Sequence, residues 1–215
     1  MLVQDWMTSE VISVDVDASM AKASKLMKEN GIQHLPVLKK GRLIGIISDR
    51  DLKQAQPSKA TTLDIYELSY LLDEVKIKSM ISPNLFTTSR VETVEKAAVT
   101  MLEHHISALP VVSSAGELEG IITKGDVFRA FVSISGIHQA KLQIGFEVKD
   151  RPGSIKDVTD VIRAHGGRIV SIMTHYEHAP EGFRRVYIRC KDMEDENTLF
   201  AELEGKFKVL YRTHD

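Results

Sequence analysis

The chain has 215 residues, 43% hydrophobic and 27% charged, with a formal net charge of −2. That balance suits a globular protein of more than one domain, and it provides no global field that would draw the chain to nucleic acid or to an anionic membrane. No apolar run nears the ~20 residues of a membrane span. The opening MLVQDWMTSEV lacks the basic-then-apolar pattern of a secretory leader, and the single cysteine, Cys190, has no internal disulfide partner, so the expectation is a cytoplasmic protein.

In chain order, Ser19 is the expected cap of a helix whose apolar positions are Met20, Ala23, Leu26 and Met27 and which Gly31 ends. Strands follow over 34–38 and 43–47, and a helix starts near Asp49. Residues 61–75, TTLDIYELSYLLDEV, read as a connecting helix. The pattern then recurs. Thr93 caps a helix with Val94, Ala97, Ala98, Met101 and Leu102 facing inward, strands cover 108–112 and 118–122, and a helix starts near Lys124. SISGIHQ (133–139) reads as a linker. Beyond it Leu142, Ile144, Phe146 and Val148 alternate as a strand, and DRPG (150–153) makes a turn. A helix follows with Ile155, Val158, Val161 and Ile162 on one side, closed by Gly166 and Gly167. RIVSIMTHY and RRVYIRC are strands around a loop with Pro180 and Gly182, ENTLFAELEGKF is a helix, and KVLYRT a last strand. The order is βαββαβ, a ferredoxin-like split.

The recurrence is a duplication. Met80 follows Met7 by 73 residues, Thr93 follows Ser19 by 74, and Gly120 and Asp126 follow Gly45 and Asp51 by 75. Leu-Pro-Val occurs at 35–37 and 109–111, and GIISDRDL (45–52) returns as GIITKGDV (120–127). The phrase has a chemical reading. Ser48 or Thr123 stands at a strand–helix junction, where free N–H groups and the helix dipole suit a phosphate, and the hydroxyl adds a donor. Asp51 or Asp126 lies about one turn further on, where a carboxylate can accept both hydroxyls of a ribose. The same residues also suit a plain helix cap in a duplicated packing unit with no ligand.

Helix, h-x-x-L-P-V, turn and G-I-I-[ST]-x-x-D, written twice, resembles the cystathionine β-synthase (CBS) domain, and the tandem over about residues 1–134 resembles a Bateman module. The resemblance implies an α+β fold with pseudo-two-fold symmetry, one CBS domain over 1–60, and a connecting helix and second CBS domain over 61–134. It implies clefts shared by the repeats, with an adenine nucleotide (AMP, ADP or ATP) as regulatory ligand and S-adenosylmethionine or NAD as rivals. Ile121, Thr123 and Asp126 would share one cleft with Ile32, Gln33 and His34; Ile46, Ser48 and Asp51 would share the other with Ile106, Ser107 and Ala108. Gly125 stands where the first repeat has Arg50, so the Asp126 cleft is expected to take a nucleoside more easily, and the Asp51 cleft to be phosphate-rich or filled.

Strand, DRPG, helix, glycine pair and aliphatic strand resemble the ACT domain over 139–215. That resemblance implies either a dimer surface or an amino-acid effector site using Asp150, Arg151 and Gly153; many ligand-binding members carry Asn where Arg168 stands here. The CBS pair followed by ACT resembles the bacterial acetoin-utilisation accessory (AcuB-like) family. It implies an allosteric, non-catalytic homodimer or higher even oligomer, acting on a separate enzyme of acetoin or central carbon metabolism. The rival classes are a ligand-free dimer scaffold and an enzyme such as a nucleotide hydrolase or transferase. The latter needs a base, nucleophile or metal set, and the sequence offers none. His175 and His178 would point apart on a strand, His104 and His105 are expected to be solvated, Cys190 to pack, and Arg184 and Arg185 to form a solvated rim.

Overall fold

One local recipe, used twice, builds the first part of the molecule. In a computed structural model describing residues 1–55, 72–81, 84–193 and 195–214, the chain divides into two compact units, Met1–Phe128 and Arg129–Asp215. The first unit runs β1 (Val14–Asp15), α1 (Met20–Asn30), β2 (His34–Lys39), β3 (Arg42–Ser48) and α2 (Asp49–Ala55). It then runs α3 (Val94–Glu103), β4 (Ala108–Val112), β5 (Leu118–Thr123) and the start of α4 (Lys124–Ser135). Ser19 Oγ accepts the N–H of Lys22 and Thr93 Oγ1 that of Lys96, so both leading helices start on a hydroxyl cap. Gly31, with φ of 62°, ends α1 in the left-handed conformation that glycine adopts without strain. Each β2–β3 and β4–β5 hairpin is antiparallel, and each slips register just after the valine of Leu-Pro-Val. The four predicted strands agree with the observed ones to within one residue at each end.

Two expectations need correction or restriction. Val94, Ala97 and Met101 are buried, but Leu102 is 67% exposed: it has turned too far around α3 to share their stripe. Residues 61–71 of the predicted connecting helix lie outside the described residues, and residues 72–74 are helical.

The repeats exchange their opening segments. Val3 and Gln4 donate to the carbonyls of Glu92 and Arg90 (2.9 and 3.0 Å), Val94 donates to Met1, and Thr8 and Ile121 exchange two 2.9 Å bonds. In return Ile77 and Lys78 donate to Ala18 and Val16 (3.0 and 3.1 Å), and Met20 donates to Val75. Val3 and Ile77 are both fully buried, and Ile77 belongs to the apolar cluster of Met20, Leu35, Val37 and Ile47. Burial of an aliphatic side chain contributes about 1.5–3 kcal/mol, so each repeat depends on an anchor from outside its own core.

The glycines of the repeated phrase make the crossing possible. A Cβ on Gly45 would lie 2.3 Å from Ile81 Cγ2, and one on Gly120 would lie 2.6 Å from Met7 Sδ and 3.1 Å from the Thr8 carbonyl. A side chain on either strand would force the crossing segment to shift.

The second unit continues with β6 (Leu142–Lys149), α5 (Ser154–Ala164), β7 (Arg168–His175), β8 (Phe183–Lys191), α6 (Glu196–Lys206) and β9 (Lys208–His214). Its strands pair antiparallel in the order β7-β8-β6-β9. The inward residues of β6 join Val158 and Ile162 of α5 and Leu199 and Leu203 of α6 in one buried cluster. Residues 133–135, expected as linker, continue α4, because nothing breaks the helix before Gly136 at φ 72°. Arg184 is no solvated rim: its Nη2 donates to Ser154 Oγ at 2.9 Å and its Nε lies 3.5 Å from Asp150, so it ties β8 to the start of α5. His175 bonds Tyr187 at 2.9 Å and stacks on its ring, and His104, though exposed, stacks on Phe86 at 3.8 Å. Cys190 is fully buried in β8; burial, with Glu196 nearby, pushes its thiol up to about 11. Among the described residues no helix is long and apolar enough to cross a membrane, and no three His, Cys, Asp or Glu side chains gather as a metal-binding group.

Gly120→Ala should destabilise the protein by ~1–3 kcal/mol in urea denaturation, the usual cost of overpacking. Gly205→Ala in α6, where a Cβ meets nothing within 4 Å, should instead add up to ~1 kcal/mol. Cys190 should resist iodoacetamide in the folded protein at pH 8 and react at once on unfolding, as expected for a buried thiol held un-ionised.

Candidate functional site

Each repeated phrase folds into a closed turn. Thr123 ends β5, and both its N–H and its Oγ1 donate to Asp126 Oδ2, at 2.7 and 2.8 Å. The Asp126 N–H returns a 3.3 Å bond to Thr123 Oγ1. Ser48 and Asp51 repeat the arrangement with 2.7, 2.6 and 3.3 Å. This is a reciprocal capping box with aspartate in the third helical position. The hydroxyl expected to donate toward a phosphate therefore donates to its own aspartate. Asp126 is 8% exposed, and Asp51 is half-buried.

Both turns open onto clefts of the first unit. One, of about 380 Å³, brings Ile121, Thr123 and Asp126 together with Ile32, Gln33 and His34. The other, of about 480 Å³, brings Ile46, Ser48 and Asp51 together with Ile106, Ser107 and Ala108. Both volumes fall in the range of small-molecule sites, about 300–1,000 Å³. Gly125 lines the first cleft, where a Cβ would meet only Thr123 Oγ1 at 3.5 Å; Arg50, exposed, lines the second.

The motif misses part of the lining. Thr8, Glu10, Val11 and Ile12 line the Asp126 cleft. They precede the first repeat's helix in sequence, and nothing in their local pattern signals that the segment crosses over. Lys124 adds a cation to the same cleft, and His105 joins Arg50 in the other. Gln33, His34 and Ser107 line both. His34 Nε2 and Ser107 Oγ are 2.7 Å apart, a bond between the repeats. Burial pushes the His34 imidazole below its ordinary value, and the Asp51 carboxylate draws it part of the way back.

The residues expected to hold an amino acid in the second unit are already paired. Arg151 bonds Asp157 at 2.6 Å, Asp150 faces Arg184, and Gly153, at φ 85°, is the turn residue leading into α5. A small hollow of about 260 Å³ includes Arg151 and Ser154 but neither Asp150 nor Gly153. Arg168 is exposed at the start of β7.

With this geometry in hand, the sequence profile described as CBS domain matches residues 3–58 and 77–133. This chain belongs to the CBS-domain family. CBS pairs are generally regulatory rather than catalytic, and they also occur within longer enzymes. An inosine-5′-monophosphate dehydrogenase of Korarchaeum cryptofilum is 28% identical over 78% of this chain, which spans only 34% of that protein. Among solved structures, the CBS domain pair of protein MJ0100 in complex with 5′-methylthioadenosine and S-adenosyl-L-methionine is 27% identical, with a TM-score of 0.52 over 62% of this chain and 97% of that one. CBSX2 in complex with AMP is 31% identical, with a TM-score of 0.51 over 62% of this chain and 98% of that one. A Vibrio cholerae protein described as an acetoin utilization protein (AcuB) is 26% identical, with a TM-score of 0.53 over 65% and 96%.

Asp51→Asn should lower the His34 pKa further, read from the imidazole proton shifts in an NMR pH titration. Because folding favours neutral His34, its contribution to stability is present above the ordinary imidazole value and is lost as pH falls from there through the lowered folded-state value.

Proposed function

We propose that this chain is a cytoplasmic regulatory sensor that binds an adenine nucleotide (AMP, ADP or ATP) in the Asp126 cleft of its CBS pair, without a catalytic role of its own. In this reading residues 1–60 and 61–134 are the two CBS domains. The observation that carries it is the composition of that cleft. An acidic side chain on a helix-start turn lines one cleft with Ile32 from one repeat and Ile121 from the other, apolar side chains suited to packing on a purine. Asp126 would grip the ribose hydroxyls and Lys124 the phosphate. The adenosine compounds carried by the MJ0100 pair and by CBSX2 support this ligand class for a similar fold. In the Asp51 cleft Arg50 adds a charge suited to additional phosphates. S-adenosylmethionine and NAD are the competing ligands.

The βαββαβ order and strand arrangement of residues 139–215 support an ACT domain. Its paired Asp150 and Arg151 favour a dimer surface over an amino-acid effector site. The assembly would be a homodimer acting on a separate metabolic enzyme, and the similarity to the Vibrio protein points toward acetoin metabolism. A second reading, a ligand-free scaffold, draws on the capping boxes, which make the repeated Ser/Thr and Asp structurally useful without any ligand.

Calorimetric titration with AMP, ATP and S-adenosylmethionine separates the two. The sensor predicts binding, weakened tenfold or more in Asp126→Asn, the loss expected for one hydrogen bond to a charged group at about 1.5–3 kcal/mol. Asp51→Asn should weaken AMP less than Asp126→Asn does, and equal losses would reject the asymmetry. Binding by none of the three compounds, nor by NAD, would leave the scaffold.

A further inference from the structure

The two clefts share a wall, and a run of hydrogen bonds passes through it. On one side, the Gln33 carbonyl accepts the N–H of Asp49, the first residue of α2, at 2.9 Å. Asp49 adjoins Ser48, whose N–H and hydroxyl bind Asp51. On the other side, the Ser107 carbonyl accepts the N–H of Lys124, the first residue of α4, also at 2.9 Å. Lys124 adjoins Thr123, which binds Asp126 in the same way. The two halves meet at the 2.7 Å contact of His34 Nε2 with Ser107 Oγ. From one carboxylate to the other, every link is a hydrogen bond or an adjacent residue.

The duplication does not explain the central link. By the shift of the repeat, His34 corresponds to Ala108 and Gln33 to Ser107. A symmetric partner bond would need a polar side chain at 108, and alanine has none. The bond between the clefts therefore has no symmetry mate, and it is made by two side chains that each line both.

We propose that the His34–Ser107 pair is a partition through which a ligand in one cleft changes the affinity of the other. The inference rests on the reading of the clefts as adenosine-compound sites. A ligand that grips one aspartate reshapes its capping turn. The Ser48 turn is bonded to Gln33, the neighbour of His34, the Thr123 turn is bonded to Ser107 itself, and His34 and Ser107 are bonded to each other. Because coupling free energies are reciprocal, either cleft can act as the effector of the other.

AMP is the probe, titrated calorimetrically into the full chain, into Asp51→Asn and Asp126→Asn as single-cleft forms, and into all three with Ser107→Ala added. Coupling predicts that the stepwise wild-type constants depart at least fivefold, the lower end of usual coupling, from those of the single-cleft forms. Ser107→Ala should bring them together. If AMP fills one cleft only, NMR replaces the second constant: filling that cleft should shift the N–H resonance of Ser48 or Thr123 in the other turn, and Ser107→Ala should abolish that remote shift. Independent constants with no remote shift would overturn the partition and leave the sensor standing, as would coupling that survives both Ser107→Ala and His34→Ala. If no cleft takes AMP, ATP, S-adenosylmethionine or NAD, the sensor and the partition fall together. Urea denaturation of Ser107→Ala, whose side chain is exposed, checks that the variant is folded.

Discussion

The close approach of a crossing segment to a bare glycine governs the first unit. A Cβ on Gly45 or Gly120 would press on Ile81 or Met7 and displace it. The opening segment of the first repeat can therefore lie across the second repeat's strand, where Thr8 and Ile121 exchange backbone bonds, and that of the second repeat bonds Val16 and Ala18 ahead of the first repeat's helix. The Asp126 cleft depends on that exchange. The stretch beyond Thr8 carries Glu10, Val11 and Ile12 into the Asp126 cleft, so one wall of that site comes from a different repeat than its turn. Hydroxyl, carboxylate and glycine recur together because they serve one local structure: a strand that tolerates a close neighbour, then a helix whose first turn is capped from both directions.

Symmetry in the backbone does not carry over to chemistry. The two turns match bond for bond, within 0.2 Å. The surroundings differ: Gly125 against Arg50, and buried Asp126 against half-buried Asp51. A duplicated scaffold can hold geometry constant while single substitutions at the rim set each cleft's charge. His34 shows the same separation. Its ring position is fixed by the repeat, whereas its partner and its depressed proton affinity come from the residues that happen to face it.

The parts of this structure legible in the sequence were those set by local rules. The hydroxyl caps at Ser19 and Thr93, the glycine at the end of α1 and the four hairpin strands followed from period and capping chemistry. The grouping of cleft residues came from the family resemblance, and it named six residues per cleft that line the same cavities here. Long-range placement was not legible. Nothing in MLVQDWMT indicates that it completes the second repeat, because that information lies in a glycine more than a hundred residues away. Leu102 reads as inward from the apolar spacing, although its angle on the helix carries it out. Arg184 reads as solvated rim because it precedes a strand, whereas the turn around Asp150 and Ser154 supplies partners that only the tertiary fold brings near.

Neither repeat is a finished object by itself. A half-molecule beginning at the second copy would lack Val3 and the strand contact made by Thr8, and one ending after the first would lack Ile77. Such a fragment could complete its core only by borrowing the missing piece from another chain, the condition under which proteins swap elements and associate. The exchange that unites the duplicated halves within one polypeptide is thus also the route by which severed halves would find each other.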